Sequence, residues 1–137
     1  MKLVLGRDEE AAEYASTMLG VKFVPPDVCF GVVNDEDQLC GAAIFNGFNT
    51  YSIEMSVYGP GCLNRRFIRA CLDYAFNQAG VLNIRARTRR KNKRMCKLLP
   101  KFGFNFESIL LNYFGPTHGD DAICYRLSRK AAQPWLT

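Results

Sequence analysis

The chain of 137 residues has a single histidine, His118, in the segment GPTHGDD, and no Cys-x-x-Cys pair. Zinc sites draw on clustered His and Cys. No metal is therefore expected, and His118 beside Gly and Asp reads as a solvated turn residue. The six cysteines, Cys29, Cys40, Cys62, Cys71, Cys96 and Cys124, lie singly in apolar stretches. That spacing is not a disulfide framework, so they read as free, mostly buried thiols. No apolar run approaches the ~18 residues of a membrane span. The opening MKLVLGRDEEAAEY turns acidic too early for a secretory signal. A cytoplasmic protein with no membrane partner is expected. No repeat, low-complexity tract or linker interrupts the chain, and its 48% apolar content suffices for one core. A single domain over residues 1–137 follows.

Acid is lacking where base is dense. Between Arg87 and Phe104, RTRRKNKRMCKLLPKFGF carries eight of the 18 Lys and Arg residues and no Asp or Glu, leaving ten basic against 13 acidic residues elsewhere. So local a charge suits a compact anion better than an extended nucleic acid, which draws cations from several elements. A solvated charged helix is the plain alternative. No aromatic residue interleaves the run between Arg87 and Met95, so base stacking has no platform there. RNA or DNA binding through residues 87–97 ranks last among the readings.

Hydrophobic periodicity gives the element order. MKLVLG predicts a strand, and DEEAAEYASTMLG a helix capped by Asp8, with Ala11, Tyr14, Ala15 and Met18 at helical spacing before Gly20. Pro25 and Pro26 break regular structure, and VCFGVVNDEDQLCGAAIFNGF predicts a hairpin with an acidic turn. In TYSIEMSVY, Tyr51, Ile53, Met55 and Val57 alternate with Thr50, Ser52, Glu54 and Ser56, so the two sets face opposite sides of a sheet. The strand stops at GPG. The next helix carries the stripe Phe67, Ala70, Cys71, Tyr74 and Ala75 and stops at Gly80. VLNIRAR is a strand, and Met95, Leu98, Leu99 and Phe102 mark one face of a short helix. Pro100 predicts a kink or an early end at Leu99. FNFESILLNYF and DDAICYRLSR are two closing strands around GPTHGDD, and the tail 130–137 is unplaced.

This order, a three-strand meander, a long helix, a strand, a short helix and a final hairpin, resembles the GNAT N-acyltransferase superfamily. In that family an Asn opens the short helix and a Gly-Phe follows eleven and twelve residues on. Asn92, Gly103 and Phe104 stand at those offsets, with Met95 and Phe102 at matching apolar positions. YAFNQAG resembles the end of the family's long helix and AICYRLSR its last strand. The resemblance covers roughly residues 29–129 and is strongest from Leu63 onward. In its trimmed N-terminal part the chain is similar to small members carried by tailed bacteriophages. The implied fold is α+β in three layers: a central, mixed, mostly antiparallel twisted sheet of six to seven strands with helices on both faces.

The implied activity is acyl-CoA-dependent N-acyl transfer, with acetyl-CoA as the expected donor and an amine acceptor. A protein amine, a small amine and an aminoglycoside satisfy the same residues. Such chemistry needs a neutral amine, a site for the developing oxyanion and a proton for the thiolate. The resemblance makes Glu54 the candidate base, with a raised pKa if partly buried; a solvent-facing carboxylate on a half-exposed sheet is the alternative. The oxyanion falls to backbone N–H around Val57 and Tyr58. The thiolate proton falls to Tyr113, Tyr58, Ser56 or water. Backbone from Gly59 through Gly61, Cys62, Leu63 and Asn64 would meet the pyrophosphate, and Arg65 and Arg66 would add charge. Arg89, Arg90 and Lys93 would flank the nucleotide, and Asn92 would cap its helix and bond the pantetheine arm. Two departures stand out. The Gly-x-Gly of the family's loop is absent, Gly59 and Gly61 coming slightly earlier, and Leu99 occupies the position of a thiolate-protonating tyrosine. Both support a second reading, a domain without turnover that binds a partner protein.

Overall fold

The computed structural model describes residues 2–4, 7, 10–11, 13–15 and 28–136. Seven strands form one sheet: β1 (Lys2–Val4), β2 (Val28–Val33), β3 (Leu39–Asn46), β4 (Ser52–Tyr58), β5 (Asn83–Arg89), β6 (Asn105–Leu110) and β7 (Ala122–Ser128). Their order is β1-β2-β3-β4-β5-β7-β6. Every neighbouring pair is antiparallel except the central β4 and β5, which are parallel. The β2–β3 hairpin turns on Asn34, whose Oδ1 accepts from the N–H of Glu36 at 2.9 Å and of Gln38 at 3.0 Å.

Helices lie on both faces. Residues 10–11 and 13–15 are helical, and Ala11 and Ala15 pack on Cys29, Ala42 and Ile44. The rest of that predicted helix, with Asp8, Met18 and Gly20, and the break at Pro25 and Pro26 lie outside the described residues. The opposite face, with Phe45, Ile53 and Ile84, is covered by α1 (Arg65–Asp73), α2 (Lys93–Lys101) and α3 (Arg129–Leu136). Asn64 caps α1 by accepting from the Phe67 N–H at 3.0 Å. After Asp73 the helix widens into a π turn, Tyr74–Gln78. The buried stripe is Phe67, Cys71, Leu72, Ala75 and Phe76, while Ala70 and Tyr74 of the predicted stripe are only half-buried. Gly80, at φ 76°, ends the element.

Two sequence expectations are corrected by packing. Pro100 does not stop α2, which runs on to Lys101 and closes at Gly103 with φ 103°. A proline at 100 leaves the Cys96 carbonyl without its helical donor, and the Tyr125 hydroxyl donates to that carbonyl at 3.3 Å. The unplaced tail is helical through Leu136. Arg129 opens it by donating to the carbonyls of Phe76 and Val81, and Trp135 Nε1 donates to the Phe102 carbonyl at 3.0 Å. The six cysteines are free, and burial pushes the thiols of Cys71 and Cys62 above the usual thiol range.

Candidate active site

The two central strands part company. β4 and β5 pair only at Ser52↔Asn83, Ile53↔Ile84 and Glu54↔Arg85. Beyond Glu54, β4 stays bonded to β3 as far as Tyr58, and beyond Arg85, β5 stays bonded to β7 as far as Arg89. The sheet thus opens into a wedge. Successive strand residues turn their N–H and C=O to alternate sides. The Asn83 N–H donates to the Tyr51 carbonyl, so the odd residues of β4 face β5, and past the last pairing the N–H and C=O of Val57 face the gap, where a ligand can satisfy them. A cleft of about 490 Å³ fills the wedge.

Strand alternation gives the cleft two unlike sides. Toward the helices its wall is apolar, built from Met55, Val57 and Ala86 with Met95 and Leu99 of α2. On the other face stand Glu54, Ser56 and Tyr58 from β4 and Arg85, Arg87 and Arg89 from β5. Asn46, the β3 partner of Glu54, and Tyr113, in the loop after β6, complete that side. Asn46 Oδ1 is buried with no hydrogen-bond partner among the described residues.

Arg87 joins two candidate proton-handling groups. Its Nη2 lies 2.8 Å from Glu54 Oε1, and its Nη1 donates to the Tyr113 hydroxyl at 2.9 Å, with the guanidinium carbon 5.1 Å from the Tyr113 ring centroid. Glu54 keeps Oε2 for a further partner. The Tyr113 oxygen accepts from Arg87, so its own O–H is free to donate. Tyr58 pairs with Ser56, and burial raises its phenol pKa above the usual value. The cleft thus holds Glu54, Tyr113, Tyr58 and Ser56 within one wall.

The loop at the start of α1 packs tightly on β3. Gly59 (φ 85°) and Gly61 let it close there. A Cβ on Gly59 would stand 2.3 Å from the Tyr14 hydroxyl and 2.5 Å from the Cys40 carbonyl oxygen, and one on Gly61 2.7 Å from Cys40 Sγ. The N–H groups of Cys62 and Asn64 are spent on the carbonyls of Gly59 and Gly61, and that of Phe67 on Asn64. In the first turn of α1 the amides of Arg65 and Arg66 have no intrahelical acceptor and suit an anion. Leu63 is half-buried against the core, and the Arg65 side chain stacks over the Trp135 ring at 5.2 Å.

The basic run is partly spent within the protein. Lys91 and Arg89 lie 3.3 and 3.8 Å from Asp120, and Arg90 lies 3.2 Å from Asp121. Arg89 and Arg90 thus pin the turn between β6 and β7, although Arg89 also lines the cleft. That use argues against an extended nucleic-acid surface. Among the described residues, Lys93, Arg94 and Lys97 have no ion-pair partner. Asn92 lines the cleft and caps α2, its Oδ1 accepting from the Met95 N–H at 3.2 Å. Sequence reasoning passed over Arg85, Arg87 and Asn46. The alternation in NIRARTR gives the arginines a common face, whereas Asn46 needs the β3–β4 register.

A sheet split between parallel central strands, with helices on both faces and an Asn-capped helix beside the split, defines an N-acyltransferase of the GNAT kind. A family model described as an acetyltransferase (GNAT) domain matches residues 5–116, and the chain belongs to that family. The family's co-substrate is acyl-CoA and its acceptor an amine. Among solved structures, mutant forms of the spermidine/spermine N-acetyltransferase SpeG from Vibrio cholerae are similar at TM-score 0.78 and 14% identity, covering 97% of each chain. A chimera of the V. cholerae spermidine N-acetyltransferase gives 0.77 at 15% identity, over 96% of this chain and 98% of that one. The V. cholerae enzyme with manganese ions gives 0.75 at 15%, over 97% and 95%. At such identities the likeness is one of fold. No curated protein matches the chain.

Proposed function

We propose that this protein transfers an acetyl group from acetyl-CoA directly to a primary amine, the donor entering from the α1–α2 side and the amine from the Glu54 side. The observation that carries the reading is the wedge between β4 and β5. It joins an apolar channel lined with unpaired backbone groups to a wall of proton-handling side chains. Bound in the channel, the thioester supplies the activated acyl carbon.

The protein's own groups do the rest. The Val57 backbone and the Nδ2 of Asn92 suit the amides of a pantetheine arm, and Met95 and Leu99 keep water from it. The amides of Arg65 and Arg66, together with Lys93 and Arg94 of α2, suit the phosphates. A backbone N–H near Val57 or Tyr58 meets the carbonyl oxygen as it gains charge. Glu54 Oε2 takes the amine proton as the N–C bond forms, and the C–S bond breaks with its electrons going to sulfur. The thiolate is protonated by Tyr113 or Tyr58, because Leu99 has no hydroxyl to give. Thiol release from acetyl-CoA in the presence of amines, with mass analysis of the amine, tests this. One acetyl group gained per thiol released is expected. If CoA raises the melting temperature but no amine is ever acetylated, the reading falls in favour of a partner-binding domain without turnover.

A further inference from the structure

The amine side of the cleft has an unusual charge for a site that takes a positively charged substrate. Among the described residues, five cations there share three carboxylates. Glu107 lies 2.8 Å from Arg85 and 3.7 Å from Arg126, and Asp120 lies 3.3 Å from Lys91 and 3.8 Å from Arg89. Glu54 has Arg87 at 2.8 Å. Arg85, Arg87, Arg89 and Arg126 all sit on the face of β5 and β7 that bears Glu54. A polycationic acceptor would bring more positive charge to a face that already has a surplus, and its ammonium groups would lose water without gaining partners.

The same wall has two poles. Asn46 and Glu54 are adjacent in register and line the cleft, and each has an oxygen acceptor to spare among the described residues: the unpartnered Asn46 Oδ1 and Glu54 Oε2. They suit the N–H groups of an amine. One step along, Arg85 spends Nε and Nη2 on Glu107 and keeps Nη1, so it has a donor left for an anion beside the cleft. We infer that the acceptor is a small primary amine that itself carries a carboxylate, an amino acid by class. Its amine lies between Asn46 and Glu54, and its carboxylate at Arg85. This rests on the acetyl-transfer reading above.

Thiol release from acetyl-CoA with the common L-α-amino acids, β-alanine and γ-aminobutyrate, each beside its primary amide and beside spermidine, tests the inference. Rates are compared at equal concentrations of neutral amine. The best acid is expected to exceed its amide by about tenfold or more in kcat/KM, the scale of one charge-assisted hydrogen bond, and to exceed spermidine. In Arg85→Gln the acid-to-amide ratio should fall toward one, mainly through KM, and Arg85→Lys should restore part of it. A preference for spermidine, equal rates for acid and amide, or a ratio unmoved in Arg85→Gln would overturn the inference and leave acetyl transfer standing. If acetyl-CoA binds and no acceptor turns over, calorimetric titration of the same acids into the CoA-loaded protein decides: no binding overturns it. Failure to bind acetyl-CoA at all would instead defeat the acetyl-transfer reading.

Discussion

Arg87 touches Glu54 with one terminal nitrogen and Tyr113 with the other, so the orientation of both depends on one guanidinium. All three side chains are accessible to solvent, and an ion pair of that kind contributes only about 0–1 kcal/mol to stability. Its value is positional. Arg87→Gln should therefore leave the melting temperature nearly unchanged and lower kcat by about tenfold or more, since misplacement near the reacting atoms is costly. Arg87→Lys should recover little, because one ammonium cannot reproduce the two-pronged geometry. Steady-state kinetics beside thermal melts check this; a proportionate loss of stability and activity would make Arg87 a structural residue. Glu54 and Asn92 were legible as site candidates because the family pattern places them, and Tyr113 only as one of several unranked proton donors. The partnership through Arg87 was not, because it joins β4, β5 and the loop after β6, which are distant in sequence.

At the scale of elements, the passage of α2 through Pro100 depends on Tyr125. Loss of the hydroxyl leaves a shielded carbonyl unpaired, which costs about 1–3 kcal/mol. Tyr125→Phe should destabilise the protein by that amount, whereas in a Pro100→Ala background the new N–H can serve Cys96 and the cost should shrink. Urea unfolding of the four proteins in the cycle reads the coupling; equal costs in both backgrounds would refute it. Burial, with the Cys96 thiol adding to it, pushes the Tyr125 phenol up to about 12, so the donor persists across physiological pH. Local pattern gave the proline but not its remedy, since β7 begins more than twenty residues later. The closing turn is held by carboxylates instead. Asp120 is kept below its usual 3.8 by the Thr117 hydroxyl and N–H, with Lys91 adding to them, and Asp121 by the Asn112 N–H and by Arg90. A depressed pKa contributes stability above the unfolded value and loses it as pH falls through the folded one. The melting temperature should thus drop as pH goes below about 3.8, and the drop should flatten in Asp120→Asn/Asp121→Asn. An unaltered acid limb in that variant would contradict the assignment.

Over the whole molecule, strand alternation and the two strong helical stripes sufficed for the element order as far as β7, and the family resemblance supplied the three layers. They could not give the sheet order, which brings β7 between β5 and β6, nor the parting of β4 and β5 after a three-residue pairing. The charge run also changed meaning at this scale. A stretch that reads as one anion-binding arm divides into cations that brace the β6–β7 turn and cations on α2 that stay free of ion pairs among the described residues. The glycines of the α1 loop likewise serve packing against β3. In the proposed reaction a carboxylate at the mouth of the split sheet, Glu54, ties these parts into one function. The most direct measurement is turnover of acetyl-CoA with an accepted amine by Glu54→Gln across pH 6 to 9, alongside its affinity for CoA. The account predicts that kcat falls ~100-fold or more while CoA affinity and melting temperature hold. Unchanged turnover over that range would remove Glu54 from the chemistry and contradict the account.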